Sequence, residues 1–132
     1  MGVLEDIPSG FSDYIGTEWL DLGPEEARAR IELKQHHLQP NGVVHGGVYT
    51  SLAESICSAA TYRVVRDQGM VASGQANSTT FLRPISAGHV NASARTRQRG
   101  RTTWVWDCEL SDDDGRVCAL VRMTIAVRPQ RG

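Results

Sequence analysis

A chain of 132 residues, 40% hydrophobic and 22% charged with a formal net charge of -1, is the right size for one domain that buries its own core without staples. That charge offers no bulk attraction for nucleic acid or an anionic membrane surface. No run reaches the length of a membrane-spanning helix, and the opening Met1-Gly2-Val3-Leu4-Glu5-Asp6 lacks the basic and apolar regions of a signal peptide.

In chain order, residues 1–9 are expected to be a flexible N-terminal tail and residues 10–132 a single domain. Residues 11–15 predict a short helical turn whose Phe11, Tyr14 and Ile15 dock on the body. Residues 17–23 predict a first strand, and Pro24-Glu25 a turn. The next run alternates, with Ala27, Ala29, Ile31 and Leu33 on one side and Arg28, Arg30, Glu32 and Lys34 on the other, as a strand with one buried face does. Pro40-Asn41-Gly42 marks a turn. A helix follows and ends at Arg66-Asp67-Gln68-Gly69, a charged last turn and a stop glycine. Strands are expected over residues 70–81, 89–97, 102–110 and 117–127, the last two joined by the Asp112-Asp113-Asp114-Gly115 hairpin turn.

The helix carries two unlike faces at 100° per residue. Val48, Leu52, Ile56, Ala59 and Ala60 form an apolar stripe, while Gly47, Thr50, Ser51, Glu54, Cys57, Ser58 and Thr61 form a small polar face with one acid in its middle. A solvated helix face ordinarily carries several Lys and Glu, so this face is expected to meet something specific. One helix among antiparallel strands makes the fold class α+β. Cys57, Cys108 and Cys118, odd in number and without CxxC spacing, read as reduced thiols of a soluble, cytoplasmic protein. His45 and Glu54 are too far apart for HExxH-type ligation, and His36 and His37 are adjacent rather than one turn apart, so no metal site is expected.

Gln39-Pro40-Asn41-Gly42-Val43-Val44-His45-Gly46-Gly47, followed by Leu52-Ala53-Glu54-Ser55, resembles the signature of the hotdog-fold acyl-CoA thioesterases. The nearest branch is the phenylacetic-acid-degradation and hydroxybenzoyl-CoA thioesterase type, close to the 1,4-dihydroxy-2-naphthoyl-CoA hydrolases. The resemblance covers roughly residues 10–127. It implies a hotdog fold, a curved antiparallel sheet wrapped around one long central helix, and hydrolysis of an aromatic or medium-sized acyl-CoA to free acid and CoA. No cofactor is implied, coenzyme A being part of the substrate. The implied partner is a second copy of the chain, in a dimer with composite active sites and two such dimers in a tetramer. A non-catalytic acyl-CoA sensor is the alternative from another class, against which Glu54 speaks; a hotdog hydratase or dehydratase is a third.

The same resemblance assigns roles. Glu54 is the catalytic carboxylate, as general base on water or as nucleophile. Its neighbours at helical spacing, Thr50, Ser51 and Ser58, give it no cationic partner of the kind a solvated helical Glu would have. Gly46 is the oxyanion donor through its backbone N–H at the positive helix start; two glycines entering a helix also serve simply as a tight turn. Gln39, His45 and Ser58 assist. Gly47, Gly74, Phe81, Leu82, Arg83, Arg99, Gly100, Arg101 and Thr102 are the implied substrate and CoA contacts. Guanidinium groups suit the phosphates of CoA, although a charged surface hairpin has the same composition. Phe81 stands where the close hydrolases carry a histidine.

Overall fold

The computed structural model describes residues 10–131; the expected tail, residues 1–9, lies outside them. A short helix α1 (Phe11–Tyr14) leads into β1 (Thr17–Leu22) and β2 (Glu26–Glu32). The long helix α2 (Gly46–Val65) follows, then β3 (Met70–Phe81), β4 (His89–Arg99), β5 (Thr103–Ser111) and β6 (Val117–Pro129). The six strands form one sheet in the order β1-β2-β4-β5-β6-β3, every neighbouring pair antiparallel. Register shifts at Trp19/Asp21, Gly74/Ala76 and Thr96/Gln98 bend and twist the strands that carry them, and the curved sheet holds α2 in its hollow.

The alternation read from the sequence explains the core. Ala27, Ala29 and Ile31 of β2 are buried, with Trp104, Trp106, Cys108 and Leu110 of β5 and Ala119, Val121, Met123, Ile125 and Val127 of β6. Against them α2 lays Leu52, Ala53, Ile56 and Ala60. On the outer face Arg30 pairs with Glu18 across the strands at 3.0 and 3.1 Å. Gly69 closes the turn after α2 at φ 72, a left-handed conformation that glycine adopts without a Cβ penalty.

Two expectations are corrected. Phe11 and Tyr14 are not docked on the body but stay 63% and 81% exposed, because the four-residue α1 rests on the polar side of α2, and Ile15 alone of the three packs against the core. Cys57 and Thr61 do not belong to the polar helix face but are fully buried. Thr61 is accommodated there because its hydroxyl donates to the Cys57 carbonyl at 2.7 Å and accepts from the Trp106 indole N–H at 2.9 Å. Burial in the same core pushes the Cys57 thiol well above its ordinary range and the Cys108 thiol up to about 12.

β3 is the outer strand on its side of the sheet. It is 12 residues long, and from Ser73 to Ser78 every residue is exposed. An uncovered edge of that length is a template for pairing with another strand.

Candidate active site

The loop before α2 is tied down at every turn. His45 N donates to His37 O at 2.9 Å, Val44 N to Ile85 O at 2.7 Å, and the Gln39 side-chain amide to Val44 O at 3.2 Å. His37, itself buried, donates from Nε2 to Ile15 O at 2.7 Å and accepts at Nδ1 from Lys34 N at 2.8 Å. The extended backbone of His45 (φ -68, ψ 136) makes it the N-cap of α2, its Nδ1 accepting the Gly47 N–H at 2.8 Å. A ring that accepts at Nδ1 carries its proton on Nε2. Among the described residues the Gly46 N–H has no acceptor, while that of Gly47 is taken up by His45 and that of Val48 by the His45 carbonyl. The helix therefore presents one free amide, Gly46, at the positive end of its dipole.

Gln39, His45, Gly46, Phe81, Leu82 and Arg83 line a single cavity of about 490 Å³, so the structure brings six of the expected residues together. A Cβ on Gly46 would lie 2.9 Å from the far end of the exposed Phe81 ring, which would have to turn aside to admit it. Tyr49, one turn into α2, lines the same cavity and was not singled out from the sequence; its spacing of three from Gly46 places both on one face. Its hydroxyl donates to the Arg83 carbonyl at 3.1 Å and fixes the wall carrying Leu82 and Arg83, and burial pushes the phenol up to about 12.

Glu54 and Ser58 lie elsewhere. They line a second, smaller cavity of about 260 Å³ with Phe11, Ser51 and Ser55. Among the described residues Glu54 has no ion-pair or hydrogen-bond partner, Ser58 included. The carboxylate lies over Gly74: a Cβ there would be 2.8 Å from Glu54 Oε2. Asn77, three residues along β3, donates from its side chain to Thr50 O at 3.1 Å and ties the strand to the helix.

The basic hairpin is a third place. Arg95 is paired with Glu26 and Arg97 with Asp107, whereas Arg99 lies over the Trp104 ring at 5.8 Å and Arg101 is exposed. Gly100 donates to Thr103 O at 2.9 Å, and Thr102 O accepts from Val127 N. Phe81 pairs with Ala119 and Thr102 meets Val127, so the hairpin and the Gly46 cavity are about 27 Å apart along β6, at roughly 3.4 Å per residue. Among the described residues no group of three His, Cys, Asp or Glu side chains could hold a metal ion, and no helix is long and apolar enough to cross a membrane.

A free amide at a helix start and an unpartnered carboxylate two turns on are the parts of an acyl-transfer site, and comparison with known proteins agrees. Residues 41–119 match the family model described as Thioesterase superfamily. The Mycobacterium tuberculosis protein Rv1847 is 40% identical over 111 residues, 83% of this chain and 79% of that one, and its solved structure superposes with a TM-score of 0.86, covering 92% of this chain and 98% of that one at 36% identity. The structure of a mutant of thioesterase PA1618 from Pseudomonas aeruginosa gives a TM-score of 0.87 at 34% identity, covering 92% and 88% of the two chains. Proofreading thioesterase EntH of Cronobacter turicensis is 31% identical over 115 residues, 87% of this chain and 83% of that protein. The chain belongs to the thioesterase superfamily, has its hotdog fold, and is a thioester hydrolase.

Proposed function

We propose that the protein hydrolyses an aromatic or medium-sized acyl-CoA to the free acid and CoA, in active sites shared between two copies of the chain. The observation that carries the shared site is a length. Gly46 and Glu54 are eight residues apart on one straight helix, about 12 Å along its axis at 1.5 Å per residue, and they line different cavities. An oxyanion donor and a carboxylate acting on one carbonyl must both lie within about 3 Å of adjoining atoms. Because the two groups open onto different cavities of one chain, a second copy is needed to bring an amide and a carboxylate to one carbonyl.

A two-fold axis resolves this. If Gly46 of one copy meets Glu54 of the other, the axis crosses α2 near Thr50, and Thr50 O is bonded to Asn77 in the exposed stretch of β3. The edge strands then pair antiparallel about the same axis, as in an isologous dimer. The same operation brings the Met70 end of one sheet towards the Phe81 end of the other, and with it Arg99, Gly100, Arg101 and Thr102 towards the partner's Gly46 cavity.

In this site the thioester oxygen accepts from the Gly46 N–H at the positive end of α2, where oxyanion charge is stabilised as the carbonyl becomes tetrahedral. Glu54 either takes the proton of the attacking water or attacks the carbonyl itself and is released by water. Each route breaks the C–S bond, forms a C–O bond and delivers a proton to the departing CoA thiolate. Gln39 holds the loop carrying the amide, His45 offers its Nε2–H towards the cavity, and Ser58 stands beside the carboxylate. Arg83, Arg99 and Arg101 hold CoA phosphates. No cofactor takes part. The enzyme works in the cytoplasm, where Cys57, Cys108 and Cys118 remain free thiols, and two dimers join as a tetramer.

The test is thiol release from a panel of acyl-CoA esters by the wild type and by Glu54→Gln, with mass measured by light scattering. Turnover by the wild type and a loss of roughly 10²–10⁴-fold in kcat for the variant are expected. An active monomer, or near-normal turnover by the variant, would overturn the reading.

A further inference from the structure

We propose that the buried His37 is a positioning residue for the reaction, its ring fixing the peptide that presents the Gly46 amide. This rests on the reading of Gly46 as the oxyanion donor. His37 lines neither the Gly46 cavity nor the Glu54 cavity, so it acts through the loop and not on the substrate. Its residue is 3% exposed, and a polar ring is kept in such a place where its nitrogens find partners. Each nitrogen here meets a backbone group from a different part of the chain: Nδ1 accepts from Lys34 N at 2.8 Å, and Nε2 donates to Ile15 O at 2.7 Å.

Both anchors are fixed points of the body. Ile15 packs against the core, and so does Leu33, the residue before Lys34; Leu33 N is further bonded to Gly88 O at 2.8 Å. The ring therefore ties residue 37 to the end of α1 and to the end of β2 at once. From there the hold passes straight to the amide. His37 O accepts from His45 N at 2.9 Å, and the next peptide bond, from His45 to Gly46, carries the free N–H. On its far side His45 Nδ1 accepts from Gly47 N at 2.8 Å. Val44 N, bonded to Ile85 O, is the second link from this strand of the loop to the body. The tip between the two arms is exposed at Pro40, Asn41 and Gly42 and adds little restraint.

The chemistry makes such a hold matter. A donor stabilises an oxyanion best when it is already aimed at the place where charge develops, because nothing is then spent on turning it there. A misplacement of about 1 Å can cost roughly 10²-fold in rate. The two ring bonds can also be separated by substitution. Asn carries an acceptor oxygen near the place of Nδ1, and Gln an amide nitrogen near the place of Nε2, so each restores one bond. Phe keeps the shape of the ring and restores neither.

The experiment measures kcat and KM for benzoyl-CoA by thiol release, and follows the Gly46 amide by nitrogen–proton NMR correlation in glycine-labelled protein. His37→Phe should lower kcat about 10- to 10²-fold, leave KM within about twofold of wild type and move the Gly46 signal. His37→Asn and His37→Gln should each regain part of the lost kcat. His36→Ala alters an exposed ring beside His37 and should leave kcat unchanged. Should His37→Phe not fold, His37→Gln decides, with a several-fold loss of kcat at constant KM expected. Wild-type kcat in the folded variant, a loss of kcat matched by a rise in KM, or a loss with the Gly46 signal unmoved would overturn the proposal. Gly46→Pro separates it from the reading beneath it. An inactive Gly46→Pro beside His37 variants of normal kcat would overturn the positioning role alone, whereas full activity in Gly46→Pro would overturn the oxyanion reading and this proposal with it.

Discussion

Gly74→Ala is the substitution whose consequence can be worked most closely from the geometry. The new methyl group would lie 2.8 Å from Glu54 Oε2 and 3.0 Å from its carboxyl carbon. Ordinary contact begins near 3.4 Å, so the carboxylate must retreat by about 0.6 Å, where a misplacement of about 1 Å can cost roughly 10²-fold in rate. The expected loss is therefore about 10- to 10²-fold in kcat, equivalent to ~1.4–2.7 kcal/mol, with KM little changed. The fold should tolerate the change, because the three atoms nearest the new methyl all belong to the Glu54 side chain, which is exposed and free to turn. Steady-state thiol release from benzoyl-CoA with a thermal melt measures both quantities. A double-mutant cycle isolates the cause: in a Glu54→Gln background, where there is no active carboxylate to displace, Gly74→Ala should cost almost nothing further. Wild-type kcat in Gly74→Ala, or full additivity with Glu54→Gln, would refute the reasoning.

Other outcomes follow from the same structure. Arg99→Ala combined with Arg101→Ala should raise KM for CoA esters more than for pantetheine esters, which lack the nucleotide; equal effects on both would exclude a phosphate role. Thr61→Val leaves the buried Trp106 N–H without its 2.9 Å acceptor and should destabilise the fold by about 1–3 kcal/mol, read as a lowered midpoint in urea with an unchanged slope. In the β5–β6 turn, the backbone N–H of Arg116, its guanidinium and the N–H of Asp114 hold the Asp112 carboxyl below its ordinary 3.8. A depressed acid lends stability above its unfolded pKa that is lost as pH falls through the folded one. Asp112→Asn should therefore flatten the fall in melting temperature below about pH 4, and an acid limb identical to wild type would count against that carboxylate.

Much of the fold was legible because period-two runs such as residues 26–32 and 117–127 have only one way to bury their apolar side. The helix wheel misplaced Cys57 and Thr61 for a physical reason: a small polar residue enters a core when its hydrogen bonds are met there, and the Cys57 carbonyl accepts from Thr61 while the Trp106 indole N–H donates to it. Phe11 and Tyr14 misled because large apolar residues ordinarily dock, whereas a four-residue helix buries none of its side chains here. Within the site, Gln39, His45 and Gly46 share a single loop and helix start, and only the family resemblance joined Phe81, Leu82 and Arg83 to them. Tyr49 shares the Gly46 face by its spacing of three, but the contact of Gly74 with Glu54 could not be read, since it depends on which side of the helix meets β3. The separation of Gly46 from Glu54 was implicit in the sequence all along, as eight helical residues.

That separation makes the composite site the central claim, and subunit mixing tests it most directly. Glu54→Ala removes the carboxylate, and Gly46→Pro removes the amide hydrogen at the first helical position, where proline is tolerated, after a His45 whose extended backbone already suits a following proline. A mixed dimer holds one site with both defects and one made only of intact parts. Two inactive preparations, each folded by circular dichroism and shown to exchange labelled subunits, should together recover about a quarter of wild-type activity, since half of randomly paired dimers are mixed and each has one good site of two. Recovery to that level is the result the shared site predicts. No recovery despite demonstrated exchange would mean that Gly46 and Glu54 serve one site from one chain.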